Sequence, residues 1–320
     1  MSTTAPPSPR RWRWLIPAVV VLAVATVAGV AAGQRQSDGP STWHDQASVA
    51  RPHVPGPAKA SGGSTPCKPA DAGAPTQARS ARDTDASGWL QLTAATLVTA
   101  PADTLTGEFT YVRLYEWASD MTAGADQVGR TTMRVSMSES WFAADGSAAT
   151  ITTTFPDGTA SPGPNVPGGR TEREHAPTGA WHNRFPGEPS SDPQTLAGQL
   201  DLVQPARVGV QARIRALADI AREYALSCPV RAAALLVLAQ SPVIWRGDVT
   251  DRAGRTGVAV SIDSTDGVSR ETLVLDPVTG VLLTHEETLL RNPGKLAGPF
   301  PHLRSSTAYI ETGRRSTAPA

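Results

Sequence analysis

Lysine is nearly missing from this chain. Lys59, Lys68 and Lys295 are the only three in 320 residues, while arginine is common. An excess of either charge is missing too, since 29 basic residues meet 29 acidic ones. No basic stripe is left to hold nucleic acid, and that partner class is excluded. With abundant alanine, valine and proline, the shortage of lysine reads as codon bias in a GC-rich genome. Cysteine is reduced to Cys67 and Cys228. No Ser-His-acid spacing, phosphate-binding glycine loop or zinc pattern occurs, so the chain is read as a non-enzyme without cofactor or metal. His285-Glu286-Glu287 falls in a strand, where side chains alternate, and is not a helical zinc motif. His175 and His182 stand near Glu172 and Glu174, but at no strong zinc spacing.

Long apolar runs are also few. The one that matters is Leu15–Gly33, LIPAVVVLAVATVAGVAAG, uncharged throughout. A helix of that length reaches roughly 28 Å, close to the hydrocarbon thickness of a bilayer. Arg10, Arg11 and Arg13 precede it, so residues 1–14 are expected in the cytoplasm and all that follows outside. A cleaved signal peptide is the rival reading, with Ala31 and Gly33 as small residues before a cut. The length of the run favours an uncleaved anchor, and both readings place the rest outside the cytoplasm. There, Cys67 and Cys228 are candidates for a disulfide, the alternative being two free thiols.

The remainder divides by pattern. Residues 34–87, rich in Pro, Gly, Ser and Ala, read as a flexible linker. A folded domain is expected over 88–312, with a loose tail at 313–320. Gly88–Val98 suits a short helix. Phe109, Tyr111, Tyr115 and Trp117 then alternate along one strand, and Met133, Val135, Met137 and Trp141 along the next. Asp145-Gly146 predicts a hairpin into a strand at Ala148–Thr154. Residues 155–191 read as a long proline-rich loop. Helices are expected across 192–240: one started by Asp192-Pro193, one over 206–225 with the stripe Val210, Ile214, Leu217, Ala221 and Tyr224, and one over 229–240. Strands return around Val243–Trp245, Val258–Ile262, Arg270–Leu275 and Val281–Thr288. The last two join through Asp276-Pro-Val-Thr-Gly280, and a final strand covers 306–311. Strands, then helices, then strands imply an α+β domain: an antiparallel curved sheet with helices packed on one face.

The segments FTYVRLYEW, RVSMSESWFAADGS, DPQTLAGQL, RIRALADIAREYALSCPVRAAALLVLAQSP, GRTGVAVSID and TLVLDPVTGVLL occur in order. Together they resemble a family of uncharacterised actinobacterial single-pass membrane proteins, often encoded beside extracytoplasmic-function sigma factors. That resemblance implies a role as an envelope sensor or regulator working with a membrane regulatory protein. The meander, the DPxTGxxL hairpin and the helices also resemble, in shape, the half-barrels of LolA-type lipoprotein carriers and RseB-type regulators. This second resemblance implies the alternative role, binding or carriage of a lipid-like ligand. On that reading Phe109, Tyr111, Trp117, Met137 and Trp141 line an apolar cavity closed by the 206–225 helix, the alternative being that they simply fill the core.

Overall fold

Two antiparallel meanders make the sheet, and one pair of strands distant in sequence joins them. The structure is a computed structural model that describes residues 85–319, apart from 101–104, 125–126, 160–161, 164–165, 186, 295 and 297–298. The expected membrane helix at 15–33, its cytoplasmic flank 1–14, the linker up to residue 84, and Cys67 lie outside the described residues. Among the described residues, no helix is long and apolar enough to cross a membrane.

The first meander is β1 (Phe109–Gly124), β2 (Gln127–Ala143), β3 (Ala148–Thr154) and β4 (Arg170–Ala176). The second is β5 (Ile244–Thr250), β6 (Thr256–Asp263), β7 (Ser269–Leu275), β8 (Leu282–Leu289) and β9 (His302–Arg315). Because β9 pairs with β1, the nine strands run β4-β3-β2-β1-β9-β8-β7-β6-β5 in one open, curved sheet. Between the meanders come α2 (Pro193–Val203), α3 (Ala212–Ala221) and α4 (Cys228–Ala239), and α1 (Ala86–Val98) precedes β1. The architecture is α+β.

Local chemistry explains most element ends. Asp192 accepts a hydrogen bond from Thr195 N at 2.8 Å, and Pro193 opens α2, where its missing N–H costs nothing. Asp145 turns the β2–β3 hairpin, accepting from Ser147 N at 2.8 Å. In the β7–β8 turn Asp276 accepts from Val278 N and Thr279 N at 2.9 and 2.8 Å.

Three expectations are corrected. The helix expected over 206–225 is a 3-10 turn at Ala206–Val208 and then α3, because Gly209 at φ 121° breaks the run. Of the expected stripe, Ile214, Leu217, Ala221 and Tyr224 are buried, but Val210 lies outside α3 and is exposed. The loop expected over 155–191 contains β4, which pairs along β3. Its sequence RTEREHA has no apolar alternation because the strand is exposed at the sheet edge, where charge discourages further pairing. The final strand runs to Arg315, so Arg314 and Arg315, expected in the loose tail, pair with Thr110 and Phe109.

Among the described residues, helices cover one face only. The main core joins residues of all four helices, among them Leu90, Leu97, Leu200, Ile214, Leu235 and Leu238, to Val258, Val260, Ile262, Leu273 and Leu275 of β6 and β7. A smaller cluster on that side joins Ala221 of α3 to Val112, Leu114, Phe142 and Tyr309. On the other face, the clusters around Trp117 and around Val274 contain no helix residue. Arg255 fixes the sheet's irregularities. Ladder shifts at Ile310 and Leu283 disturb the pairing, and Arg255 donates to Tyr309 O and Leu283 O at 2.5 and 2.6 Å. The wholly buried Asp251 carboxylate holds that guanidinium at 2.7 Å.

Candidate functional site: a polar groove on the helix-bearing face

Strand register decides which side chains meet. Residues directly opposite in an antiparallel pair share a face, and alternate residues change face. Leu114 stands across from Ser138, and Ser138 from Thr152, which faces Glu172. One step along, Glu116 stands across from Ser136, Ser136 from Thr154, and Thr154 from Arg170. On the other side of β1, Glu116 faces Thr307, Thr307 faces His285, and His285 faces Leu273. All of these lie on the face that carries Val112, Leu114 and the helices. A polar groove therefore crosses the sheet from the β4 edge to β7, beside α3.

Helix α3 is moored into this groove by charge. Arg222, just past its end, donates to Glu116 Oε1 at 2.7 Å and to Thr307 Oγ1 at 2.6 Å. Burial works against the Arg222 charge, but Glu116 outweighs it and holds the pKa above the ordinary value. One turn and more back, Arg215 donates to Glu271 Oε1 at 2.5 Å, while His285 Nε2 lies 2.7 Å from Glu271 Oε2. Burial alone would raise the Glu271 pKa, yet the imidazole and guanidinium hold it below the ordinary value. Glu287 lies 3.8 Å from Arg215 and 2.7 Å from Arg304. Tyr309 donates to Ala218 O at 2.7 Å, and Gln211 donates to Ile262 O at 3.1 Å. The Glu271–His285 pair invites a catalytic reading. Among the described residues, no hydroxyl or thiol hydrogen-bonds the imidazole.

The five apolar candidates share a face, but the wrong one for an enclosed cavity. Phe109, Tyr111, Trp117, Met137 and Trp141 all occupy the side away from the helices, so α3 does not close over them. Tyr111 and Trp141 pack at 5.1 Å between ring centroids, Arg315 stacks 4.8 Å over the Tyr111 ring, and Tyr111 donates to Glu139 at 2.6 Å. Trp117 packs with Tyr115, Val135 and Phe155, and Met137 lies against that cluster. Phe109 is half-buried at the start of β1. Alternation identified the set correctly as one face. It carried no information on which face the helices cover.

A separate cavity of about 30 Å³ lies between α3, α4 and the sheet, lined by Leu217, Leu226, Leu235, Leu238, Leu273 and Arg231, among others. His175 and Glu174 are neighbours in β4 and so point to opposite faces, and no metal-binding group occurs among the described residues. Cys228 is disulfide-bonded. Glu116, Glu271, Arg215, Arg222 and Arg304 were not singled out from the sequence. Ser136, Ser138 and Ser140, alternating with Val135, Met137 and Trp141, mark the polar face of β2.

Comparison with protein-family models, with curated proteins and with solved structures finds no match to this chain.

Proposed function

We propose that this chain is a single-pass membrane protein whose extracytoplasmic domain is a non-enzymatic envelope sensor. It works through a membrane regulatory partner linked to sigma-factor signalling. The observation that supports this reading is the mooring of α3 across the polar face of the sheet by Arg222–Glu116 and Arg215–Glu271. A sensor needs an element whose position a ligand can bias. Anything in the groove that competes for Glu116 or Arg222 acts directly on the helix. Residues 15–33 serve as the anchor, and Cys228 pairs with Cys67 in an oxidising compartment.

Transcript profiling of the native host tests it. Loss of the protein should shift an envelope regulon, and Arg222→Met at normal abundance should reproduce part of that shift. Unchanged transcripts in both strains, together with crosslinking that captures no membrane partner, would sink the sensor reading.

The second reading is carriage of a lipid-like ligand in a half-barrel, supported by the leucine-lined cavity under α3 and α4. At about 30 Å³ it has room for no more than a few water molecules, so an acyl chain would enter only if the helices moved off the sheet. Lipid extraction of protein purified from its host separates the readings. A bound acyl chain at stoichiometric amount favours carriage, and none favours the groove.

A further inference from the structure

Just past the end of α3, successive residues hold different parts of the molecule. Arg222 reaches the sheet, while Glu223 and Tyr224 reach the segment 181–185. Arg184 N donates to Glu223 Oε2 at 3.0 Å. Asn183 Nδ2 donates to the Tyr224 hydroxyl at 2.7 Å, and that hydroxyl donates to Gly187 O at 3.0 Å. Phe185 packs edge-on against the Tyr224 ring, 5.9 Å between centroids, and belongs to the main core. The segment is seated on the helix end, and a carboxylate is part of its seat.

That carboxylate is poorly placed to carry a charge. Glu223 is only 7% exposed, and among the described residues its one hydrogen bond comes from Arg184 N. An ionised carboxylate has about four acceptor sites to fill. The Arg184 guanidinium stands 3.9 Å away, beyond hydrogen-bond reach, and is half exposed. Asp219, in the last turn of α3, draws on the same guanidinium at 3.9 Å. Arg222, the other cation facing Glu223, is turned to Glu116 at 2.7 Å. Two carboxylates share one half-exposed cation, so burial favours the neutral form of the more deeply buried one. Burial raises the Glu223 pKa above its ordinary 4.5, with Arg184 opposing the shift and Asp219 adding to it. The phenol of Tyr224 adjoins it, and burial raises that pKa as well.

We propose that the Glu223 carboxyl is a proton-operated latch: taking up a proton seats residues 181–185 more firmly on the end of α3. This deepens the sensor reading, and rests on it for what is signalled, by naming acidification of the envelope as the stimulus. The sign follows from linkage. When the segment lifts, Glu223 meets water and titrates at its ordinary value; when seated, it holds its proton to higher pH. The seated form therefore gains as pH falls through the raised value, and the gain is complete below the ordinary 4.5. Arg222 is the adjacent residue, so the latch acts on the same helix end that Glu116 moors.

Hydrogen exchange read by mass spectrometry on purified full-length protein in detergent tests the latch. The series runs from about pH 7.5 down to 4.5, with rates corrected for the intrinsic effect of pH. Glu223→Gln mimics the protonated carboxyl. At the neutral end, residues 181–185 should exchange about twofold or more slower in Glu223→Gln than in wild type, and the two should converge toward the acid end. In wild type alone, protection of the segment should rise as pH falls, with β4 as the internal reference. Faster exchange in Glu223→Gln, a difference from wild type that does not change with pH, or constant protection in wild type overturns the proposal. A merely structural acceptor would give the first of these, because an amide accepts more weakly than a carboxylate. If Glu223→Gln does not fold, the wild-type series alone decides. Exchange is read on isolated protein, so its failure leaves the transcript test of the sensor reading standing.

Discussion

Arg222 and Glu116 are 106 residues apart and meet at 2.7 Å, tying the end of α3 to the middle of β1. The pair is only partly sheltered, with about a third of each side chain exposed. Its value to stability is therefore that of a charge-assisted hydrogen bond near a surface, about 1–3 kcal/mol. Arg222→Met should lower the melting temperature by about 2–4 °C for each kcal/mol lost in a domain of this size. A double-mutant cycle with Glu116→Gln should give coupling of about 0.5–3 kcal/mol. Additive single effects would show that the mooring contributes nothing.

Gly280 closes the β7–β8 turn at φ 62°, and a Cβ there would lie 2.8 Å from Leu97 Cδ1 and 3.1 Å from Leu235 Cδ1. Gly280→Ala therefore meets both backbone strain and a clash with the core under α1 and α4. A loss of about 1–3 kcal/mol is expected in thermal or denaturant unfolding. Gly254→Ala, with φ 80° but open space around it, should cost less because only the strain remains.

What the sequence made legible was local. The limits of β3, the Asp192 cap and the Asp276–Gly280 turn follow from residues within a few positions of one another. Periodicity showed that Tyr111, Trp117, Met137 and Trp141 share a face. What stayed hidden depends on contacts between distant segments. Helices cover the face of Val112, Leu114 and Phe142, although the opposite side of β1 carries the larger apolar residues. Nothing in β1 itself decides between them. The groove was hidden for the same reason: Glu116, Arg215, Glu271 and Arg304 come from four separate elements, and each looks like an ordinary surface charge on its own. Strand β4 was missed because an exposed edge needs no apolar residues.

The buried Glu271 gives a pH dependence of defined sign. Its folded pKa lies below the ordinary 4.5, so its contribution is fully present above that value and is lost as pH falls through the lower one. Glu223 acts oppositely. Burial raises its pKa, so the stability it costs at neutral pH disappears on acidification. Glu271→Gln should destabilise the protein by about 2–3 kcal/mol at pH 7, because Arg215 and His285 lose their acceptor. The gap from wild type should narrow steadily below pH 4.5 in urea unfolding. A constant gap would mean that Glu271 is not ionised in the folded protein.

If Cys228 is joined to Cys67, peptide mapping without reductant should return one cross-linked pair within a single chain. Reduction, or Cys228→Ser, should cost about 2–5 kcal/mol. A free thiol at either position, or a bridge between two chains, contradicts the pairing.

Placement outside the membrane is the premise shared by the sensor and the disulfide. Protease shaving of intact protoplasts that carry the full chain with a C-terminal tag tests it most directly. The account predicts that the tag and the folded domain are digested without lysis, leaving a short membrane-held N-terminal fragment. A tag protected until the cells are lysed would contradict it.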